Sequence, residues 1–489
     1  MSVIGSLLLI LAAAPLVAVL GCLLVRGPRL SETLNLVASA VSLASALPIP
    51  FLLDGRELLF WSGYVIVDRA AAWVVLCSAI VYFLASVYAV GYMRLLKEEA
   101  RLYRFYALFA GFGLTTLVGP LMNNIGIYWI AIELTTLVST FLVAFERVAE
   151  SMEAAWKYVM VVSAGISLAL LGTVLFYWSG TFVLGPTYEM TWSTLAAAAP
   201  RMNPVLLTLA FLLVLVGYGT KVGLAPMHTW LPDAHSESPA PVSAMLSGAL
   251  LNTAMIGVVR FLAITRAADL GLLPQMAVVV FGALSLFIGA LFIVRQQGIK
   301  RLMAYSSIEH MGVVALGFGF GGPLGVAGAL YHMLNHSLNK SLMFFGAGNM
   351  MRAYGSKEIE LIRGVGDRFP TQGALWLSGA IAITGAPPFG LFLSEFTIMR
   401  AGLKPSFAWA VYLMAALLIV IFIGFMNHFR AMYYRPVRED APSRVALTAW
   451  CTAPMWLALV PLLVLGVWWP AGIWGYLTGI AQSLSPVSP

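Results

Sequence analysis

The chain has 489 residues, 61% hydrophobic and 10% charged, with a formal net charge of +7. A soluble domain carries about 25% charged residues, so a water-facing surface cannot be built from this inventory and the solvent must be lipid. Three scattered cysteines, Cys22, Cys77 and Cys451, exclude a disulfide framework, a Cys-x-x-Cys metal site and iron–sulfur ligation. No cofactor is therefore expected, and electrons should bypass this chain. The basic balance reads as Lys and Arg gathered in loops on one side of a membrane rather than as a nucleic-acid surface.

Apolar runs of about 20 residues, the length that crosses a hydrocarbon core of about 30 Å, recur from end to end. They predict an all-α polytopic membrane protein, a single membrane domain of about fourteen transmembrane helices. The spans begin near residues 3, 32, 70, 104, 124, 157, 204, 242, 273, 302, 323, 374, 407 and 447, separated by Pro, Gly or charged breaks. An even count puts both termini on one side. The odd-numbered loops hold most of the Lys and Arg, among them Arg26, Arg29, Lys97, Arg101, Arg104, Arg147, Lys300, Arg301, Arg438 and Arg444, roughly three for each one in the even loops. The odd loops then face the cytoplasm, and both termini lie on the outer, periplasmic side of the cell (inner) membrane. No Lys or Arg precedes the first span, so it reads as helix 1 and not as a signal peptide.

Four basic residues fall inside spans: Lys157, Lys221, Arg260 and Lys340. A charge near the bilayer centre costs about 2.5 to 3.5 kcal/mol on insertion scales, which makes each a functional candidate. Lys157 and Arg260 lie near span ends, where a long side chain also reaches the interface. In span 5, Glu133 stands close to the midplane and needs a cationic partner. Lys221 is the natural one, because it sits where span 7 is interrupted by Lys-Val-Gly-Leu-Ala-Pro-Met-His, with Gly223 and Pro226 as helix breakers and His228 in the break. In lipid such a break is tolerated only where the freed backbone groups face protein or a water-filled cavity. Burial and pairing act oppositely on a lysine, so its proton affinity is adjustable, as a carrier site requires.

In span 11, His332, His336 and Lys340 recur at spacing four and stack on one helix face. Imidazole accepts on one nitrogen and donates from the other, so such a ladder can relay protons through water. No carboxylate lies on that face, which argues against a metal site. Span 12 carries a second interruption, Gly385-Ala-Pro387-Pro388-Phe-Gly, followed by Glu395. Two interrupted helices about 160 residues apart point to an internal repeat. The expected organisation is 1–103 for helices 1 to 3, 104–265 for a first five-helix repeat, 273–430 for a second, and 447–473 for helix 14. Because five is odd, the two repeats are inverted relative to each other, and each can supply a half-channel.

The stretch from Lys221 through Leu-Pro-Asp-Ala-His-Ser-Glu-Ser-Pro-Ala-Pro-Val to Arg260 resembles the signature of antiporter-like subunits of respiratory complex I and membrane-bound hydrogenases. Ile299-Lys-Arg-Leu-Met-Ala-Tyr-Ser-Ser-Ile-Glu-His310-Met, the span 11 ladder, and Gly385-Ala-Pro-Pro-Phe-Gly with Ser394-Glu395-Phe396 are similar too. Within that family the Tyr-Ser-Ser-Ile-Glu-His-Met stretch is most similar to the hydrogenase-4 and formate-hydrogenlyase type, component F. The resemblance implies that Glu133 and Lys221 form a proton-loading pair, that Lys340 with His332 and His336 is the central relay, and that Glu395 stands near the exit; His310 joins the same constellation. Asn252 stands where some complex I homologues carry a lysine in helix 8, so water, the ladder and His228 must link the half-channels.

The implied function is proton translocation by a non-redox subunit, without a catalytic centre of its own, in a multisubunit hydrogenase or complex I-like assembly. A monovalent-cation (Na+)/proton antiporter subunit is the alternative, because the same residues can serve sodium exchange. A purely structural anchor does not explain intramembrane basic residues. No long amphipathic arm is expected after helix 14, which separates the chain from the distal complex I subunit.

Overall fold

A computed structural model describes residues 2–96, 99–437 and 446–484; Lys97, Arg438 and Arg444 of the odd loops lie outside them. Apart from one hairpin, β1 (Leu58–Phe60) paired antiparallel with β2 (Val65–Val67), the described architecture is helical. The first helices are α1 (Val3–Val25), α2 (Pro28–Ala46), α3 (Arg69–Arg94), α4 (Leu102–Val118), α5 (Ile125–Val143) and α6 (Ala149–Leu184). α7 (Pro204–Val222) and α8 (Trp230–Glu237) are two parts of one broken span, followed by α9 (Ala240–Ala267), α10 (Leu273–Val294), α11 (Ile299–Phe320) and α12 (Gly322–Tyr354). α13 (Pro370–Ile383) and α14 (Gly390–Gly402) form the second broken span, and α15 (Ala408–Tyr434), α16 (Ala449–Val467) and α17 (Ala471–Ser483) complete the chain.

Among the described residues, 11 helical segments are long and apolar enough to cross a membrane. The other expected crossings coincide with α11, α12 and the α13–α14 pair, which are richer in buried polar residues or interrupted. One boundary differs in a way that matters. α6 starts at Ala149 rather than near 157 and runs for 36 residues, about 54 Å, so its first turns project beyond the apolar core and carry Lys157 with them.

α12 is the axis of the fold. It packs against α3, α11, α13, α14, α16 and α17, and every residue from Gly325 to Met350 is buried. Lipid tails are as apolar as leucine, so helices associate through close packing rather than hydrophobic exclusion, and small residues decide where backbones meet. The α10–α11 crossing shows this. A Cβ on Gly282 would lie 2.8 Å from the carbonyl oxygen of Gly312, and one on Gly312 would lie 2.7 Å from that of Gly282.

Both expected interruptions are present. α7 ends on Gly223 in the left-handed conformation (φ 81°), the Gly223 and Leu224 amides donate to Thr220 O and Gly219 O at 3.0 and 2.8 Å, and the Trp230 indole also donates to Thr220 O at 2.7 Å. The freed Ala225 amide donates to Ser285 Oγ of α10 at 2.8 Å. The orphan groups of the break are thus satisfied by protein. The second break turns at Gly385 (φ 65°), directly after α13.

Candidate functional site

Asn124 starts α5 by accepting from the amides of Gly126 and Ile127 at 3.0 and 3.2 Å, which sets Glu133 about 13 Å along the helix. Lys221, one residue from the end of α7, is fully buried and reaches back across the bundle. Its ammonium donates to Thr136 Oγ1 and to the Tyr158 hydroxyl, both at 2.8 Å, and lies 5.1 Å from the centre of the Tyr158 ring. Glu133 accepts from Thr136 Oγ1 at 3.3 Å and from Ser163 Oγ of α6 at 2.8 Å. The expected pair is therefore joined through one hydroxyl. Among the described residues no ion pair links Glu133 to Lys221, because the Thr136 side chain occupies the position between them.

His228 lies in the break between α7 and α8 and is almost fully buried. Lys157 is placed elsewhere: half-exposed, it pairs with Glu153 at 2.7 Å and with Asp233 of α8 at 3.2 Å, and Arg301 shares Asp233 at 2.9 Å. It belongs to a surface ion-pair network and not to the buried pair. Arg260 holds Asp68 at 2.9 Å beside the Trp192 ring, a structural contact at the start of α3.

The second cluster forms where α9, α11, α12 and α14 converge. Lys340 donates to the carbonyl of Met303 at 3.1 Å and to Ser306 Oγ at 2.5 Å, both on α11. One turn on from Ser306 stand Glu309 and His310, both fully buried, with a Glu309 oxygen 3.5 Å from His310 Nε2. His310 Nδ1 is 3.0 Å from His332 Nε2, and His332 Nδ1 is 2.9 Å from Ser394 Oγ of α14, the residue before Glu395. The His336 ring lies 5.3 Å from that of His310. The face of α12 is thus one side of a chain whose other members come from α11 and α14.

α9 lies between the clusters and packs against both α7 and α12. Residues Leu246–Leu250 form a π turn that frees Gly248 O, which accepts from Ser337 Oγ at 2.7 Å and from the Asn252 amide at 3.0 Å; Asn252 also donates to Ser337 Oγ at 2.9 Å.

Two buried residues were not anticipated as site members. Glu309 lies inside the quoted Tyr-Ser-Ser-Ile-Glu-His stretch, and an ionisable carboxylate inside an expected span was the signal that could have found it. Lys300 reads as an odd-loop charge, yet it is buried at the start of α11 and donates to the carbonyls of Ser236 and Ser238 beside a polar cavity of about 210 Å³ that also holds Glu146, Glu237 and Lys357.

The fold adds groups from other helices to the α12 ladder. A single face of α12 offers no carboxylate, but the fold brings Glu395 and His310 to it, so that ligand atoms of His310, His332 and Glu395 lie within 4.8 Å of one another and can hold a cation. The His310–His332 hydrogen bond uses one nitrogen of each ring, which suits proton relay between them.

Comparison with known proteins fits this geometry. The chain is 35% identical over 426 residues, 85% of its length and 88% of that protein's, to a hydrogenase-4 component F homolog from Methylacidiphilum infernorum (isolate V4). It is 28% identical to NADH-quinone oxidoreductase subunit N from Desulforudis audaxviator (strain MP104C), over 94% of this chain and 92% of that one. Its fold matches a chain of the membrane-bound sulfane sulfur reductase (MBS), an archaeal respiratory membrane complex, with a TM-score of 0.89, 23% identity, and coverage of 98% and 97%. Residues 122–423, which hold every ionisable group of both clusters, match the family described as NADH:quinone oxidoreductase/Mrp antiporter, TM, and to that family of membrane proteins the chain belongs.

Proposed function

We propose that this chain is the proton-translocating membrane subunit of a redox-driven complex of the membrane-bound hydrogenase or NADH-quinone oxidoreductase kind, working beside other membrane and peripheral subunits. The observation that carries the proposal is the His310–His332 hydrogen bond, flanked by Glu309 and Lys340 on one side and by Ser394 and Glu395 on the other. Two imidazoles in direct contact can pass a proton by exchanging donor and acceptor roles, and buried acids and bases at each end can load and unload it.

In this reading Glu133 and Lys221 load the proton through Thr136, and His228 in the break passes it toward Asn252. His336, Lys340, His310 and His332 relay it, and Glu395 releases it. Lys157, with Asp233 and Glu153, gathers protons at the surface. The breaks at Gly223 and Pro226 and at Gly385, Pro387 and Pro388 mark corresponding points of two inverted repeats, 104–265 and 273–430, in a fourteen-span fold with both termini outside. The similarity to a hydrogenase-4 component F homolog favours the hydrogenase type of parent complex.

A sodium/proton antiporter subunit is the second reading, favoured by the Mrp part of the family description. Proton uptake by inverted membrane vesicles, driven by the parent complex's own electron donor, separates the two. His332→Leu should leave the complex assembled and abolish uptake; uptake at the wild-type rate in that variant refutes the relay. A wild-type rate that rises with added sodium selects the antiporter reading.

A further inference from the structure

A groove of about 1070 Å³ lies on the odd-loop end of the helix bundle and shares no lining residue with either ionisable cluster. α1 and α5 both pack on α4, and between them the surface of α4 is lowered by Ala107 and Gly111. The walls are apolar, with Leu23 and Phe141 to either side, whereas Arg26, Arg101, Arg104 and Arg147 ring the mouth. These arginines come from the end of α1, the start of α4 and the turn after α5, which helical alternation puts at one membrane face. Among the described residues no carboxylate lies within ion-pair distance of Arg26, Arg104 or Arg147, and no acidic side chain lines the groove.

We infer that this groove is a binding site for an anionic diacyl phospholipid, its phosphate held by the arginines and an acyl chain lying along α4. The two halves of such a lipid match the two halves of the groove. Arginine presents planar pairs of donors to phosphate oxygens, and a basic pocket between membrane helices at the cytoplasmic face selects anionic headgroups. From Arg104 to Gly111 the floor runs about 10 Å into the bilayer, so it receives the upper part of a chain and not the headgroup alone. A second transmembrane helix fits less well, because Arg26, Arg104 and Arg147 at the mouth would meet no compensating charge from an apolar surface. Gly111 is what keeps the floor open: a Cβ there would sit 3.7 Å from Val19 and 3.8 Å from Val138, so a methyl is accommodated but a longer side chain must enter the groove.

Native mass spectrometry of the full-length chain tests this, with 16:0/18:1 phosphatidylglycerol and phosphatidylcholine as probes. The wild type should retain one phosphatidylglycerol more tightly than phosphatidylcholine, and the preference should shrink as salt rises. Replacing Arg104 and Arg147 together with Ala should weaken phosphatidylglycerol binding by about twenty-five-fold, about fivefold for each arginine, and leave phosphatidylcholine unchanged. Gly111→Leu should lose both lipids while keeping helicity and melting temperature, since leucine suits a helix and the first carbon has room. No headgroup preference in the wild type, a preference that survives the double Ala variant, or wild-type lipid retention in Gly111→Leu would each overturn the site. So would a partner subunit's helix found seated in the groove of the intact complex.

Discussion

Gly385 lies against the carboxylate of Glu395: a methyl group on Gly385 would overlap a Glu395 oxygen. The turn that breaks the span and the acid ten residues later are one unit, and the break exists in part to make room for the acid. Gly385 also needs a positive φ, which costs an ordinary residue about 1–2 kcal/mol. Gly385→Ala should therefore lower proton uptake to the level of Glu395→Gln while the protein still reaches the membrane. Uptake by inverted vesicles, normalised to the amount of protein, checks this.

In the proposed relay Lys340 takes up and gives back a proton in each cycle. Lys340→Met keeps length and packing without charge and should abolish pumping in an assembled complex. Lys340→Arg should impair it nearly as much, because a guanidinium with a pKa above about 12 does not release its proton. Vesicle uptake together with copurification of the partner subunits measures both halves of this expectation. Wild-type uptake in the Met variant would show that Lys340 is structural.

Thr136 carries the contact between Lys221 and Glu133. Thr136→Val removes the hydroxyl at constant shape and should slow proton uptake about tenfold, the scale of one hydrogen bond to a charged group. Thr136→Ser should retain most of the rate. Equal rates in the two variants would assign the side chain to packing.

The first break is held by the Ala225 amide on Ser285 Oγ. Ser285→Ala leaves a buried donor unpaired and should cost about 1–3 kcal/mol, read as a lowered melting temperature in detergent. Addition of a second variant, Trp230→Phe, should cost less than a sum of independent effects if both act on the same turn.

Much of this was legible in the residues themselves. Lys221 and Lys340 stand out because a charge in an apolar run is costly, and Gly223, Pro226, Gly385 and Pro387 mark the breaks because few residues end a helix as reliably. What could not be read was convergence between helices. The periodicity of α12 alone shows His332, His336 and Lys340 on one face, but says nothing of Glu309 and His310 across from it or of Glu395 arriving from α14. Lys300 and Lys157 show the limit at span ends. The first is a loop charge by sequence and buried in the fold, whereas the second is in a span by sequence and half in water, because α6 starts eight residues sooner than its apolar run.

Asn252 has a consequence for the resting protein. Its amide sits in α9 between the helices that carry Lys221 and Lys340, tied to Ser337 and Gly248 O, at the place where some relatives are expected to carry a lysine. A carboxamide neither gains nor loses a proton near neutral pH, so no charge can be parked midway between the loading pair and the relay. In the proposed route a proton therefore crosses from the loading pair to the relay without resting as a charge on Asn252, and that uncharged step is the place where the crossing can be gated.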